Sequence, residues 1–287
     1  MITPLLEKDA TGLIKSRYDA IKKALHCNSL PATFSYMGAF PDYFLYISEQ
    51  LIVNLTDTKF VTLALETSNY IYSIVKSTLS YSNETNEWLN RYKNSPSFYY
   101  FQQDVVLVFL LNMKLAFVSL ALREAVKGWA VAAKKLPTAN EKSYPGNENN
   151  DVKQSSITDD IETIIQNSHY ATKSVQSVSH IMLSQKSISN THGEIERDLL
   201  QDFLLLCRND FSYFIKQEIF LTMRVQLEKL VLISLPLFPH LIFSPINVAL
   251  PLGQKYPHFS ELLYLLCDDF PVLSMQKLIF SGYMRAS

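Results

Sequence analysis

The chain has 287 residues, 48% hydrophobic and 18% charged, with a formal net charge of −1. That length and apolar content suit a globular chain, which hides roughly three-quarters of its unfolded surface, and exclude a disordered one. A near-zero charge offers no basic field to draw nucleic acid or an anionic membrane.

Only 7 glycines are present, too few for the tight reversals of an all-β fold, so long helices and few turns are expected. Cys27, Cys207 and Cys267 are far apart and odd in number, which removes the usual zinc and dithiol readings and suits a reduced, cytoplasmic setting. The opening MITPLLEKDATG lacks a basic segment followed by an apolar core, so no secretory signal is expected.

In chain order, Leu13, Ile14, Tyr18, Ile21 and Leu25 predict a helix over 12–27, ended by Pro31. Thr33 could cap a second helix reaching about Leu55, with Phe34, Met37, Phe44, Ile47 and Leu51 inward. A third spans about 57–80. Residues 82–97 are a polar connection with a short helix at most. An apolar helix then starts near Phe101, kinks or continues at Gly128, and ends near Lys135. Its stretch Val105–Leu122 is long enough to suggest a membrane span, but Asn112 and Lys114 in its middle favour a buried core helix.

Residues 136–158 form the clearest linker, and helix resumes around Asp159. This divides the chain into a first helical repeat (1–135), the linker, and a second repeat (159–287). PDYFLYISEQL (41–51) resembles NDFSYFIKQEI (209–219), with Asp42 on Asp210 and Ile47 on Ile215. Five prolines within 236–257 forbid a continuous helix there and predict an apolar loop packed on the surface or over a cavity. Two helices, near 258–270 and 272–284, finish the chain.

No phosphate-binding glycine loop, His-Glu-x-x-His or nucleophile elbow occurs, and His169 and His180 lack a third ligand, so neither metal nor cofactor is expected. Two polar positions stand out. Asn112 lies in an apolar helix, either as a core linchpin or as a ligand contact, because a buried amide needs partners. Asp202 lies among aliphatic side chains in LLQDFLLLC. Burial there would raise its pKa, whereas helix periodicity could turn it to solvent.

The stretch KDATGLIKSRYDAIKKALHCNSLPATFSYMGAFPDYF (8–44) resembles the N-terminal region of the group I 2-haloacid dehalogenases, through Asp9, Gly12, Tyr18, Ile21, Leu25, Phe40-Pro41 and Tyr43. VFLLNMKLAFVSLALRE (108–124) is similar to that family's Asn-Pro-Lys helix, and QDFLLLCRNDFSYF (201–214) to its Ser-Asp-Phe segment. The resemblance implies an all-α fold of two diverged helical repeats, arranged as an intramolecular pseudo-dimer around a central cleft. It implies hydrolytic dehalogenation of small 2-haloalkanoic acids to 2-hydroxy acids without a cofactor.

By position, Asp202 matches the aspartate that activates water, and Asn112 an asparagine that helps hold the water or substrate. Gln201 and Phe203 flank the base, with Gln201 in place of the family's serine. Ser29 and Ala32 stand where the family has a pocket Trp and Phe, and Asn209-Asp210 replaces a Trp-Pro. The expected partner is a small carboxylic acid, with no nucleic acid or membrane, and the chain is expected as a monomer or homodimer. The lost pocket aromatics motivate an alternative, a non-catalytic helical binding protein that retains the scaffold. A carboxymuconolactone decarboxylase-like peroxidase would need a close cysteine pair, which the chain lacks.

Overall fold

A computed structural model describes residues 2–128, 191–244 and 246–285. The expected linker, the helix from Asp159, and His169 and His180 lie outside the described residues. Among the described residues the protein is all-helical and has no strand.

The first half runs α1 (Gly12–Leu25), α2 (Ala32–Gly38), α3 (Pro41–Thr56), α4 (Thr58–Thr78), α5 (Asn83–Tyr92) and α6 (Pro96–Val126). The second runs α7 (Thr191–Phe214), α8 (Glu218–Ser234), a 3-10 turn (Leu235–Leu237), α9 (Ile246–Lys255), α10 (Phe259–Cys267) and α11 (Asp269–Met284).

Local chemistry explains the boundaries. The helix expected from Thr33 to Leu55 is two helices, because Pro41 lacks an N–H and keeps Phe40 out of the helical region (φ −121°, ψ 77°). Pro41 then starts α3 at a position where its missing donor costs nothing. Asp57, Ser82 and Ser95 cap α4, α5 and α6 by accepting the N–H groups of Lys59, Thr85 and Phe98 at 2.8, 3.2 and 3.3 Å. Gly128, at φ +90°, follows the last turn of α6.

The central helix is α6. It packs against α11 along much of its length and also touches α4, α8 and α10. It is long and apolar enough to cross a membrane, but 67% of its most apolar window is buried inside the protein. Its apolar surface on nearly every side is that of a helix surrounded by others. Residues from both halves join one hydrophobic core, including Phe60, Phe109, Phe117, Phe203, Phe238 and Phe259.

The seam between α6 and α11 is close. A Cβ on Gly282 would meet the Phe109 ring at 3.1 Å. In the first half, Gly38 lets α2 pass so near α1 that a Cβ there would lie 1.8 Å from the Tyr18 hydroxyl.

The proline-rich segment combines an extended strap with a helix. Residues 238–244 lie along α3, held by side chains of α3 itself. Beyond it, α9 forms despite Pro251 in its interior, so the expectation of loop throughout 236–257 is corrected. The match between 41–51 and 209–219 does not extend to secondary structure. The first segment lies wholly in α3, whereas the second covers the end of α7, a turn and the start of α8.

Candidate functional site

Asn112 and Lys114 sit two residues apart on α6, about 200° around the helix, and so face different neighbours. Asn112 is buried. Its side-chain N–H groups donate to the Lys277 carbonyl at 3.3 Å and to Ser281 Oγ at 3.0 Å, both on α11. Ser119 and Ser274 repeat this polar pairing further along the same seam, at 2.7 Å. Its side-chain donors are thus taken up by the seam between α6 and α11.

Lys114 lies near enough to His26 and Cys27, just past α1, for their charges to interact. Its side chain is buried, at 4% exposure, and burial pulls its pKa down from 10.5 to about 8, opposed by an electrostatic effect of Cys27. Among the described residues no hydrogen bond or ion pair neutralises it. Burial pushes the Cys27 thiol up to about 11, so it stays protonated near neutrality. His26 is pulled below its usual value by desolvation and then by the Lys114 charge. A neutral imidazole therefore stands near a buried ammonium.

The connection from α1 to α2 shapes this region. His26 takes the left-handed conformation (φ 55°, ψ 43°) that closes α1, and the Cys27 N–H reaches back to the Lys22 carbonyl at 3.0 Å. Glu7 pins the connection by pairing with Lys22 and accepting the Leu30 N–H at 3.4 Å. Ser29 and Ala32 lie in this stretch, both exposed.

Asp202 lies elsewhere. It is on α7, exposed, and lines an open groove of about 280 Å³ with Glu84, Glu87, Trp88 and Arg91 of α5. Of the two orientations open in the sequence, periodicity has turned it to solvent. Gln201 is also exposed. Phe203 points the other way and is fully buried, with ring centroids 4.9, 5.2 and 5.9 Å from Trp88, Phe98 and Phe101.

Those contacts place α7 against the first turns of α6, and Phe101 is about 16 Å along the helix from Asn112. Asp202 and Asn112 therefore do not converge. The groove carries three carboxylates against one guanidinium, a balance that repels an anionic substrate.

One organised carboxylate had no functional reading in the sequence. Asp210 Oδ2 accepts the Tyr283 and Thr85 hydroxyls, both at 2.7 Å, and the Ser82 N–H at 3.2 Å. It ties α7 to α11 and to the α4–α5 turn. With three donors on one oxygen it serves as a hub of packing. Its sequence signals were its place in the Asn209-Asp210 pair and the alignment with Asp42, which instead lies exposed and meets Lys255 and Tyr256.

No family model and no curated protein sequence matches the chain. Solved structures do. A complex of a D-2-haloacid dehalogenase with L-LA superposes with TM-score 0.66 at 12% identity, covering 99% of this chain and 96% of that one. A mutant D-2-haloacid dehalogenase with D-2-CPA gives TM-score 0.65 at 13% identity, covering 99% and 95%. A further mutant structure gives 0.65 at 12% identity. The chain thus shares the all-helical fold of D-2-haloacid dehalogenase.

Proposed function

We propose that the chain is a cofactor-independent hydrolase of small 2-substituted carboxylic acids, of the 2-haloacid dehalogenase type. The observation that carries this reading is the fold match over 99% of the chain and 95% or more of its neighbours. A likeness that spans both halves retains the architecture around which such a site is built.

In the proposed reaction a water attacks the α-carbon in line with the departing halide. The new C–O bond forms as the carbon–halogen bond breaks. The water's proton passes to a base, and the products are the 2-hydroxy acid, halide and a proton. The resemblance assigns the base to Asp202 and the water-holding amide to Asn112; the two lie apart in this structure, so the reading rests on the reaction class and leaves the identity of the base to the Asp202→Ala test. The free thiols Cys27, Cys207 and Cys267 suit a reduced, cytoplasmic location.

A specific observation favours a second reading. Asp202 is exposed in an acidic groove, and the Asn112 amide is engaged by α11. That arrangement suits a non-catalytic helical binding or interaction protein that retains the dehalogenase scaffold.

Purified protein incubated with D- and L-2-chloropropionate, with Asp202→Ala in parallel, separates the two. Chloride release that disappears in a folded Asp202→Ala variant supports the hydrolase and its base. Release that persists in the variant keeps the hydrolase and removes Asp202. No release by the folded parent chain leaves the non-catalytic reading.

A further inference from the structure

The seam between α5 and α7 carries a groove where a closed apolar contact would be ordinary. Glu84, Glu87, Trp88 and Arg91 recur at three- and four-residue spacing along one side of α5, and Leu199, Asp202 and Leu206 do so on α7. Packed helices usually turn such stripes to each other as apolar surface. Here, with Tyr92, they line a space of about 280 Å³. Both helices bring carboxylates to it. The one guanidinium in the lining, Arg91, meets Glu87 at 3.9 Å. One guanidinium against three carboxylates leaves the groove with a negative excess.

Acidic residues on a helix face are most often simply solvated. Trp88 sets this groove apart. It is the only buried residue of the lining, at 8% exposure. Its ring lies against Tyr92, Phe98 and Phe203, with centroids 5.0, 5.3 and 4.9 Å away. Its indole N–H nevertheless has no hydrogen-bond partner, although a buried Trp N–H usually finds one. The carboxylates of the lining are acceptors, yet none reaches it. A buried donor without an acceptor lowers stability. Arg224 Nε is also unpartnered, but it lies on α8, outside this lining. The groove therefore lacks two things in one place, a positive charge and an acceptor for Trp88.

We propose that the α5–α7 groove binds a small amino alcohol, a cation that carries a hydroxyl group. The ammonium lies among Glu84, Glu87 and Asp202, beside the Trp88 and Tyr92 rings, whose faces attract cations. The hydroxyl oxygen accepts the Trp88 N–H, and the short carbon chain rests on Leu199 and Leu206. The indole nitrogen is covered, so its ring turns as the ligand seats. The volume is at the small end for ligand sites, which suits ethanolamine or choline. This inference does not rest on the hydrolase reading, whose anionic substrate the same lining repels.

The test is calorimetric titration of the full chain at low salt. The probes are ethanolamine, choline, ethylene glycol, and ethyltrimethylammonium, which is choline without its hydroxyl. Ethanolamine and choline are expected to bind saturably, ethyltrimethylammonium more weakly and ethylene glycol not at all. Glu84→Gln and Asp202→Asn alter exposed side chains, and each should weaken choline binding by roughly two- to fivefold, as for an exposed ion pair, and by less at high salt. Trp88→Phe keeps an aromatic ring and removes the N–H. It should weaken choline by roughly two- to tenfold, more than it weakens ethyltrimethylammonium. Trp129→Phe leaves Trp88 as the sole tryptophan, and choline should then change its fluorescence.

A folded parent chain that binds neither ethanolamine nor choline overturns the proposal. So does choline binding that the Glu84→Gln, Asp202→Asn double variant leaves unchanged. Equal binding of choline and ethyltrimethylammonium by the parent chain removes the hydroxyl from the recognition, and overturns it even where Trp88→Phe fails to fold. Chloride release from 2-chloropropionate, present or absent, bears on the hydrolase alone.

Discussion

Gln50 pairs with both backbone polar groups of Phe243. Its Oε1 accepts the Phe243 N–H at 2.7 Å and its Nε2 donates to the Phe243 carbonyl at 3.3 Å. One turn later on α3, Asn54 does the same for His240, at 3.2 and 3.0 Å. Two amide side chains thus stand in for a neighbouring strand, satisfying an extended segment whose prolines keep it from forming a helix. Tyr46 adds a bond to the Phe243 carbonyl at 3.0 Å, and Tyr43 meets Ser244 at 3.1 Å.

Asn54→Ala leaves both backbone groups of His240 without their partner, and Gln50→Ala leaves the Phe243 N–H without one, since Tyr46 still reaches the Phe243 carbonyl. Each substitution is expected to cost about 1–3 kcal/mol in denaturant unfolding. The double variant should lose less than the sum, because both amides hold one segment. Full additivity would mean that the two clamps act independently.

Asp57 caps α4 and also meets His240 Nε2 at 2.8 Å, at the start of the strap. Desolvation raises its pKa, but the Lys59 N–H and then His240 outweigh it, leaving the carboxyl below its ordinary 3.8. A depressed folded pKa contributes stability that is complete above the unfolded value and is lost as pH falls through the folded one. Asp57→Asn keeps the cap and removes the charge. It should be less stable than the parent near neutrality, with the gap closing below pH 3.8. A gap independent of pH would mean that the charge contributes nothing.

Gly38→Ala places a methyl group where the Tyr18 hydroxyl lies, 1.8 Å from Oη and 2.7 Å from Cζ. Tyr18 is fully buried and donates to the Leu5 carbonyl at 3.0 Å, so it has little freedom to move. A loss of about 1–3 kcal/mol is expected, as for other overpacked cores. Adding Tyr18→Phe should recover part of it, because the nearest clashing atom is then gone. Thermal unfolding of the three variants checks this.

Asp210→Ala strands the Tyr283 and Thr85 hydroxyls, both on buried residues. It should cost about 2–4 kcal/mol, and Asp210→Asn clearly less, since an acceptor remains. Equal losses would show that the negative charge, rather than the acceptor, holds α7 to α11.

The helices were legible because periodicity and caps are local. Phe34, Met37, Phe44, Ile47 and Leu51 are all buried as the spacing predicted. The break at Phe40 was less clear, because Pro41 can either end one helix or begin the next. The strap was readable as non-helical from its prolines, but its partners lie almost 200 residues away in sequence and leave no local pattern.

The site was least legible. Asn112 and Lys114 were both conspicuous, yet only the fold shows that the first is engaged by α11 and that the second is buried. Asp202 sits beside Phe203, and one step of about 100° separates solvent from core. Aliphatic neighbours in sequence could not show which way the carboxylate turned.

The most direct measurement is the yield of chloride and lactate from 2-chloropropionate by the purified full chain, without added metal or cofactor. The account predicts the two products in equal amounts, increasing with protein concentration. Folded protein that releases neither from either enantiomer would contradict it.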